Sequence, residues 1–200
     1  MIETFAETSP SRRQAVPNNP ALRPGIDIAE FTSAPLRFHG VYEFDVPPGE
    51  LWPMVTNASN IAKWFPNIRG GHHSQTPDGA VASCDVGSKR MCQTIGMGTL
   101  DEAFLHSDPP RLSVYTIKNA MMPIENHVAI MHLVETFPGK TQLTWSHYLD
   151  YKGIALRRIF PVMMKIFMDF GIKKLASTVG GRRRRNANVL KPTCHNPKRL

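Results

Sequence analysis

The sequence predicts an α+β domain in which a curved antiparallel sheet closes over one long, apolar C-terminal helix. Two observations carry this. Five consecutive strand-like runs between Ser88 and Tyr151 are joined by short connections, which makes antiparallel neighbours of them. After them, from about Ile154 to Val179, comes a stretch whose apolar residues cover most of a helix's circumference, more than the single stripe of a surface helix. A sheet closing over such a helix buries both apolar surfaces together.

The elements follow in order. LRFHGVYEFDV, Leu36 to Val46, alternates as a strand and ends at Pro47-Pro48. PGELWPMVTN and NIAKWFPNI then read as two short helices, near Gly49–Thr56 and Ile61–Phe65, the second broken at Pro66. SKRMCQTIG, GTLDEAFLHS, RLSVYTIKN, ENHVAIMHLVETF and TQLTWSHYLDY are the five strands, punctuated by Asp108-Pro109-Pro110 and Pro138-Gly139-Lys140. Six or seven strands in all are expected. In the final helix Lys165, Asp169 and Lys173 fall four apart and make one narrow polar line. Those charges interrupt the run, so it does not span a membrane. Gly180-Gly181 is its expected stop.

Two hundred residues suffice for one domain with a sizeable core. Residues 36–181 are read as that domain. Residues 1–35, with five prolines among Ser, Asn and Ala, are read as a flexible N-terminal arm, and residues 182–200 as a flexible basic tail. The net charge of +8 comes almost entirely from that tail, which holds seven Lys and Arg and no acid. Such a cluster suits an anionic surface, but it lacks interleaved aromatics, so no specific nucleic acid is expected, and the plainer reading is a solvated terminus. There is no hydrophobic signal segment near Met1 and no paired CxxC spacing among Cys84, Cys92 and Cys194, so a reduced, cytoplasmic setting is expected.

VPPGELWPMVTNASNIAKWFPNI, then GSKR, DPPRLSVYTI and GKTQLTWSHYLD, resemble the polyketide cyclase/dehydrase and lipid-transport branch of the START-like (SRPBCC) superfamily, over about Phe38 to Gly180. The resemblance implies a helix-grip fold with a hydrophobic cavity between sheet and C-terminal helix. It implies binding of a hydrophobic small molecule, such as a lipid or polyketide, or alternatively cyclase or dehydratase chemistry.

Period-two alternation indicates the cavity face. Leu143, Trp145, His147 and Leu149 share the apolar face of their strand. Tyr115 and Ile117 are taken inward, and Glu102 and Phe104 fall together. For 125–137 the alternation permits two choices. The resemblance favours the set His127, Ala129, Met131 and Leu133, although a one-residue slip inverts it. Trp64 from the second short helix and Met163, Phe167 and Phe170 from the long one complete the expected ligand wall. His127, His147, Tyr115 and Glu102 are the candidate acid-base groups if the protein is an enzyme, because a histidine titrates near neutrality and burial raises the pKa of a carboxylate.

No cofactor and no metal are expected. His72-His73 lies in a glycine-rich stretch read as loop surface, Cys194-His195 lacks partner ligands at zinc spacing, and Gly96-x-Gly98 lacks the context of a nucleotide loop.

Overall fold

A computed structural model describes residues 25–74, 85–119, 121–153, 156–179 and 184–187. The arm before residue 25, Cys84, the helix start at Ile154, the Gly180-Gly181 stop and Cys194-His195 lie outside the described residues.

Strand β1 (Leu36–Phe44) leads into helices α1 (Pro48–Thr56) and α2 (Ala58–Trp64), as expected. Proline at the N-terminus of α1 forfeits only an amide that would have no helical partner there. Asn57 separates the two helices: its own extended backbone ends α1, and its side chain accepts from the Ser59 amide at 3.0 Å to cap α2. Then follow β2 (Ile68–His73), β3 (Lys89–Thr94), β4 (Gly98–Asp108), β5 (Leu112–Lys118), β6 (Ile124–Phe137), β7 (Lys140–Tyr151), α3 (Leu156–Thr178) and β8 (Arg184–Ala187).

The sheet order is β2-β3-β4-β5-β6-β7-β1-β8, every neighbouring pair antiparallel. Two strands differ from the sequence reading. His72 and His73 belong to β2, which pairs with β3, rather than to a surface loop; the glycines that suggest a loop let the strand approach closely, since a Cβ on Gly71 would stand 2.7 Å from the Met91 carbonyl oxygen. Arg184–Ala187, inside the stretch read as a tail, pairs with the outer edge of β1.

The curved sheet buries one face against α1, α2 and α3. Phe160, Met168, Ile172, Leu175 and Ala176 are the buried line of α3. Gly171 lets it lie against α2, because a Cβ there would meet the Trp64 ring at 3.3 Å and Pro66 at 3.4 Å. The opposite line of the helix, Ile159, Val162, Ile166 and Phe170, is about 60% exposed, so sheet and short helices grip α3 from one side. The other face of the sheet carries a smaller cluster, Leu112, Val114, Val128 and Ile130, covered by Ile26, Ile28 and Phe31. Residues within the stretch read as an arm thus shield strand positions that would otherwise face water.

Candidate functional site

Between the sheet and α3 lies a cavity of about 80 Å³. Met163, Met164, Phe167 and Met168 of α3 form one wall, and Asn67, Thr94 and Met97 form a partly exposed rim. The remaining wall is mostly apolar, from Ile61, Leu100, Ile117, Met122, Ile124 and Leu149, with a polar minority of Arg90, Glu102, Tyr115, His127, Trp145 and His147.

A local departure from sheet regularity borders this space at Ile117 and His127. The β5–β6 ladder runs from Leu112↔His132 to Tyr115↔Ala129 and then ceases. Beyond it, side chains replace backbone partners: the Ile117 amide donates to His127 Nδ1 at 3.2 Å, and Thr116 Oγ1 donates to the His127 carbonyl at 2.6 Å. On the other side of β6 the register slips between Glu125 and Val128, where Asn126 takes φ of +51°. This bulge inserts one residue and restores the inward phase at His127. Asn126 is held by its side-chain amide donating to Asp150 Oδ2 at 3.0 Å, and its carbonyl accepts from Thr32 Oγ1 at 3.1 Å.

The polar groups form two connected sets. In the first, His127 Nε2 and His147 Nδ1 are 3.1 Å apart, and the His147 ring stacks on Trp145, with centroids 5.7 Å apart. Trp145 donates its indole N–H to the Tyr115 hydroxyl at 3.2 Å. Burial lowers the His127 pKa to about 4 and holds His147 well below its usual value, with His127 adding to the effect, so both imidazoles are neutral at pH 7. Burial, then the charge of Glu102, raises the Tyr115 pKa.

In the second set, Arg90 is fully buried and donates from Nε to Glu102 Oε2 at 2.5 Å. Its Nη1 donates to the carbonyls of Val55 and Thr56, at 3.1 and 2.6 Å, tying β3 to the C-terminus of α1. The guanidinium also lies over the rings of Phe104 and Tyr115, at 5.4 and 5.3 Å. Burial by itself would lower the Arg90 pKa, but the charge of Glu102 and its hydrogen bond raise it instead. Cys92 donates its thiol toward Glu102 Oε2 at 3.6 Å, and burial, then Glu102, pushes its pKa up to about 12, so it is an inert thiol.

Of the residues picked out in the sequence, Glu102, Tyr115, Ile117, His127, Trp145, His147, Met163 and Phe167 line the cavity. Trp64, Phe104 and Met131 are buried in the core behind it, and Trp64 spends its indole N–H on the Met54 carbonyl at 2.7 Å. Phe170 is 59% exposed and points away, because eleven residues along a helix from Ile159 return it to the exposed line. Sequence reasoning missed Arg90, whose position within a strand, three residues after Gly87, reads like that of any exposed strand cation. Among the described residues no three His, Cys, Asp or Glu side chains cluster as metal ligands, and no helix is long and apolar enough to cross a membrane.

The family model described as polyketide cyclase/dehydrase and lipid transport matches residues 35–180. The chain belongs to this family. Solved structures agree on the fold. A Thermobifida fusca protein solved by NMR is 21% identical with TM-score 0.58, over 71% of this chain and 91% of that one. XoxI from Bacillus cereus is 17% identical with TM-score 0.55, over 70% and 94%. An HSP90 activator from Plasmodium falciparum is 14% identical with TM-score 0.55, over 75% and 100%. Among curated proteins there is no match to this sequence. At these identities the likeness to the solved structures is one of fold alone, and function lives in the site that a fold carries.

Proposed function

We propose that this member of the family sequesters or carries a hydrophobic small molecule, such as a lipid or polyketide, in the cavity between the sheet and α3. The observation that carries the reading is the composition of the wall: apolar groups with a few convergent polar side chains on one side, the pattern of a small-molecule site rather than of a close-packed core. Three methionines on α3 support it, because a guest of this class is larger than 80 Å³ and needs the partly exposed α3 wall to give way, which unbranched thioethers do at little cost. The family's lipid-transport description supports the same class of ligand. Sparse cysteines suit a cytoplasmic carrier.

Native mass spectrometry of the purified full chain, beside titration with the apolar dye Nile red, tests this. A co-purifying mass of a few hundred daltons, or saturable dye fluorescence that the Met163→Trp variant abolishes, is the expected outcome. A bare protein that takes up no dye overturns it.

A cyclase or dehydratase is the second reading, favoured by the 3.1 Å contact between His127 and His147 beside Tyr115. Both histidines are neutral at pH 7, and with its pKa lowered to about 4 His127 is a weak base there. A poly-β-ketone thioester that cyclises faster with wild-type protein than with His147→Gln would establish turnover; equal rates would leave binding alone.

A further inference from the structure

Resting on the reading of the cavity as a ligand site, we infer that its ligand carries a neutral hydrogen-bond acceptor, a carbonyl-type oxygen, at the end that meets His147. The argument begins at a backbone amide. The Ile117 N–H donates to His127 Nδ1 at 3.2 Å, so that nitrogen is an acceptor and carries no hydrogen. A neutral imidazole bears one hydrogen, which therefore sits on His127 Nε2. His127 Nε2 faces His147 Nδ1 at 3.1 Å and donates to it. His147 Nδ1 is thus also an acceptor, and its single hydrogen sits on Nε2. One main-chain N–H, itself incapable of reversal, fixes the direction of the whole relay.

The relay ends in an unmet donor. His147 is 4% exposed, it borders both the cavity and a smaller hollow shared with Phe38 and Phe160, and its buried Nε2 has no hydrogen-bond partner among the described residues. Buried N–H groups are paired in nearly all proteins, so an exception beside a cavity marks a place for a guest's acceptor. Trp145 offers no rival acceptor, since it stacks on the imidazole and directs its own N–H to Tyr115.

The same arrangement selects against a charged head group. An anion here needs a cation, and Arg90, the one Lys or Arg on the cavity wall among the described residues, is already bound to Glu102 and to the carbonyls of Val55 and Thr56, while Arg37, in the smaller hollow that His147 also borders, donates its Nε to the Leu149 carbonyl at 3.3 Å and lies over the Tyr151 ring at 5.3 Å. His147 cannot supply the charge: a second proton would go on Nδ1, against the hydrogen on His127 Nε2. His127 cannot move that hydrogen to Nδ1 without confronting the Ile117 amide. What remains is a donor of fixed direction and no net charge, matched by a ketone, ester or similar oxygen on an otherwise apolar molecule.

Two measurements on the full chain test this. In the first, long-range proton–nitrogen spectra of the histidine rings at pH 7 should show His127 and His147 both protonated at Nε2; an Nδ1 proton on either overturns the relay. In the second, calorimetry compares acetophenone with ethylbenzene, which has the same shape but no acceptor, and with benzoate, whose acceptor is charged. Acetophenone should bind at least about tenfold tighter than either, in line with a single buried hydrogen bond, and its carbonyl stretch should shift to lower frequency when bound. His147→Phe should erase the preference over ethylbenzene; should that variant fail to fold, the wild-type affinity ratio and the ring spectra decide. Ethylbenzene binding as tightly as acetophenone, or benzoate tighter, overturns acceptor recognition while leaving the cavity a ligand site. Failure of all three to bind removes the ligand site and this inference with it.

Discussion

Trp145 of β7 reaches across β6 to donate its indole N–H to the hydroxyl of Tyr115 on β5, 3.2 Å away. Two strands that never touch through their backbones are thereby joined over the floor of the cavity. The bond fixes the plane of the indole, and the indole in turn supports the stacked ring of His147.

Trp145→Phe keeps much of the apolar surface and deletes the N–H. We expect a loss of about 1 kcal/mol, the usual worth of one hydrogen bond. Trp145→Ala should cost about 3–5 kcal/mol, because it also empties the space against Trp64, whose ring centroid lies 6.2 Å from that of Trp145. Urea unfolding of the two variants beside wild type measures the difference: no loss in Trp145→Phe would show that the hydrogen bond contributes nothing, and equal losses in the two would show that the packing against Trp64 adds nothing.

Stability should fall on acidification through the histidines. Between pH 6.5 and about 4 the unfolded chain binds a proton at His127 and the folded chain does not, so unfolding is favoured as pH drops through that window. Above pH 6.5 the contribution is constant. Its full size is on the order of 3 kcal/mol, from a scale of ~1.4 kcal/mol per pKa unit. Unfolding free energies of wild type and His127→Gln at pH 7.5 and pH 4.5 check this: the variant should lose less between the two values, and identical losses would mean that His127 is protonated in the fold.

Arg90 and Glu102 are expected to be more costly to break than to replace. Arg90→Met leaves the Glu102 carboxylate buried without its partner, and a loss of about 3–5 kcal/mol follows. Arg90→Met with Glu102→Leu removes both charges and should recover much of that, although the Val55 and Thr56 carbonyls still lose their donor. A double-mutant cycle on thermal unfolding reads the coupling, and additive effects would show that the pair acts as two independent residues.

Phe160 and Phe167 stand seven residues apart on α3, yet their truncation should differ. Phe160 also borders the cavity, but it is 2% exposed with its ring against Tyr151, centroids 5.8 Å apart, so Phe160→Ala should cost about 3–5 kcal/mol. Phe167 borders the same cavity but is only partly buried, so Phe167→Ala should cost less in stability and should alter Nile red binding more. Equal urea midpoints for the two variants, with unchanged dye uptake, would mean that the α3 wall is ordinary core.

Most of this architecture is legible in local pattern. Period-two alternation identifies Leu143, Trp145, His147 and Leu149 as one inward face because β7 is regular along those positions. The apolar surface of α3 announces a helix held against a sheet, but its width overstates the grip, because Ile159, Val162, Ile166 and Phe170 stay about 60% exposed. What alternation cannot supply is the phase where a strand is irregular. His127 faces inward because Asn126 absorbs one extra residue at a left-handed φ, a conformation sustained by Thr32 and Asp150, which lie 94 and 24 residues away in the chain. Arg90 looks like a surface cation until the fold brings Glu102 and the C-terminus of α1 around it. The sequence by itself determined which faces are apolar, because burial of a face is written in residue type at short range. The tertiary structure alone decided where the β5–β6 ladder stops and which ring nitrogen is left bearing an unmet hydrogen, because those depend on single hydrogen bonds between residues that the chain holds far apart.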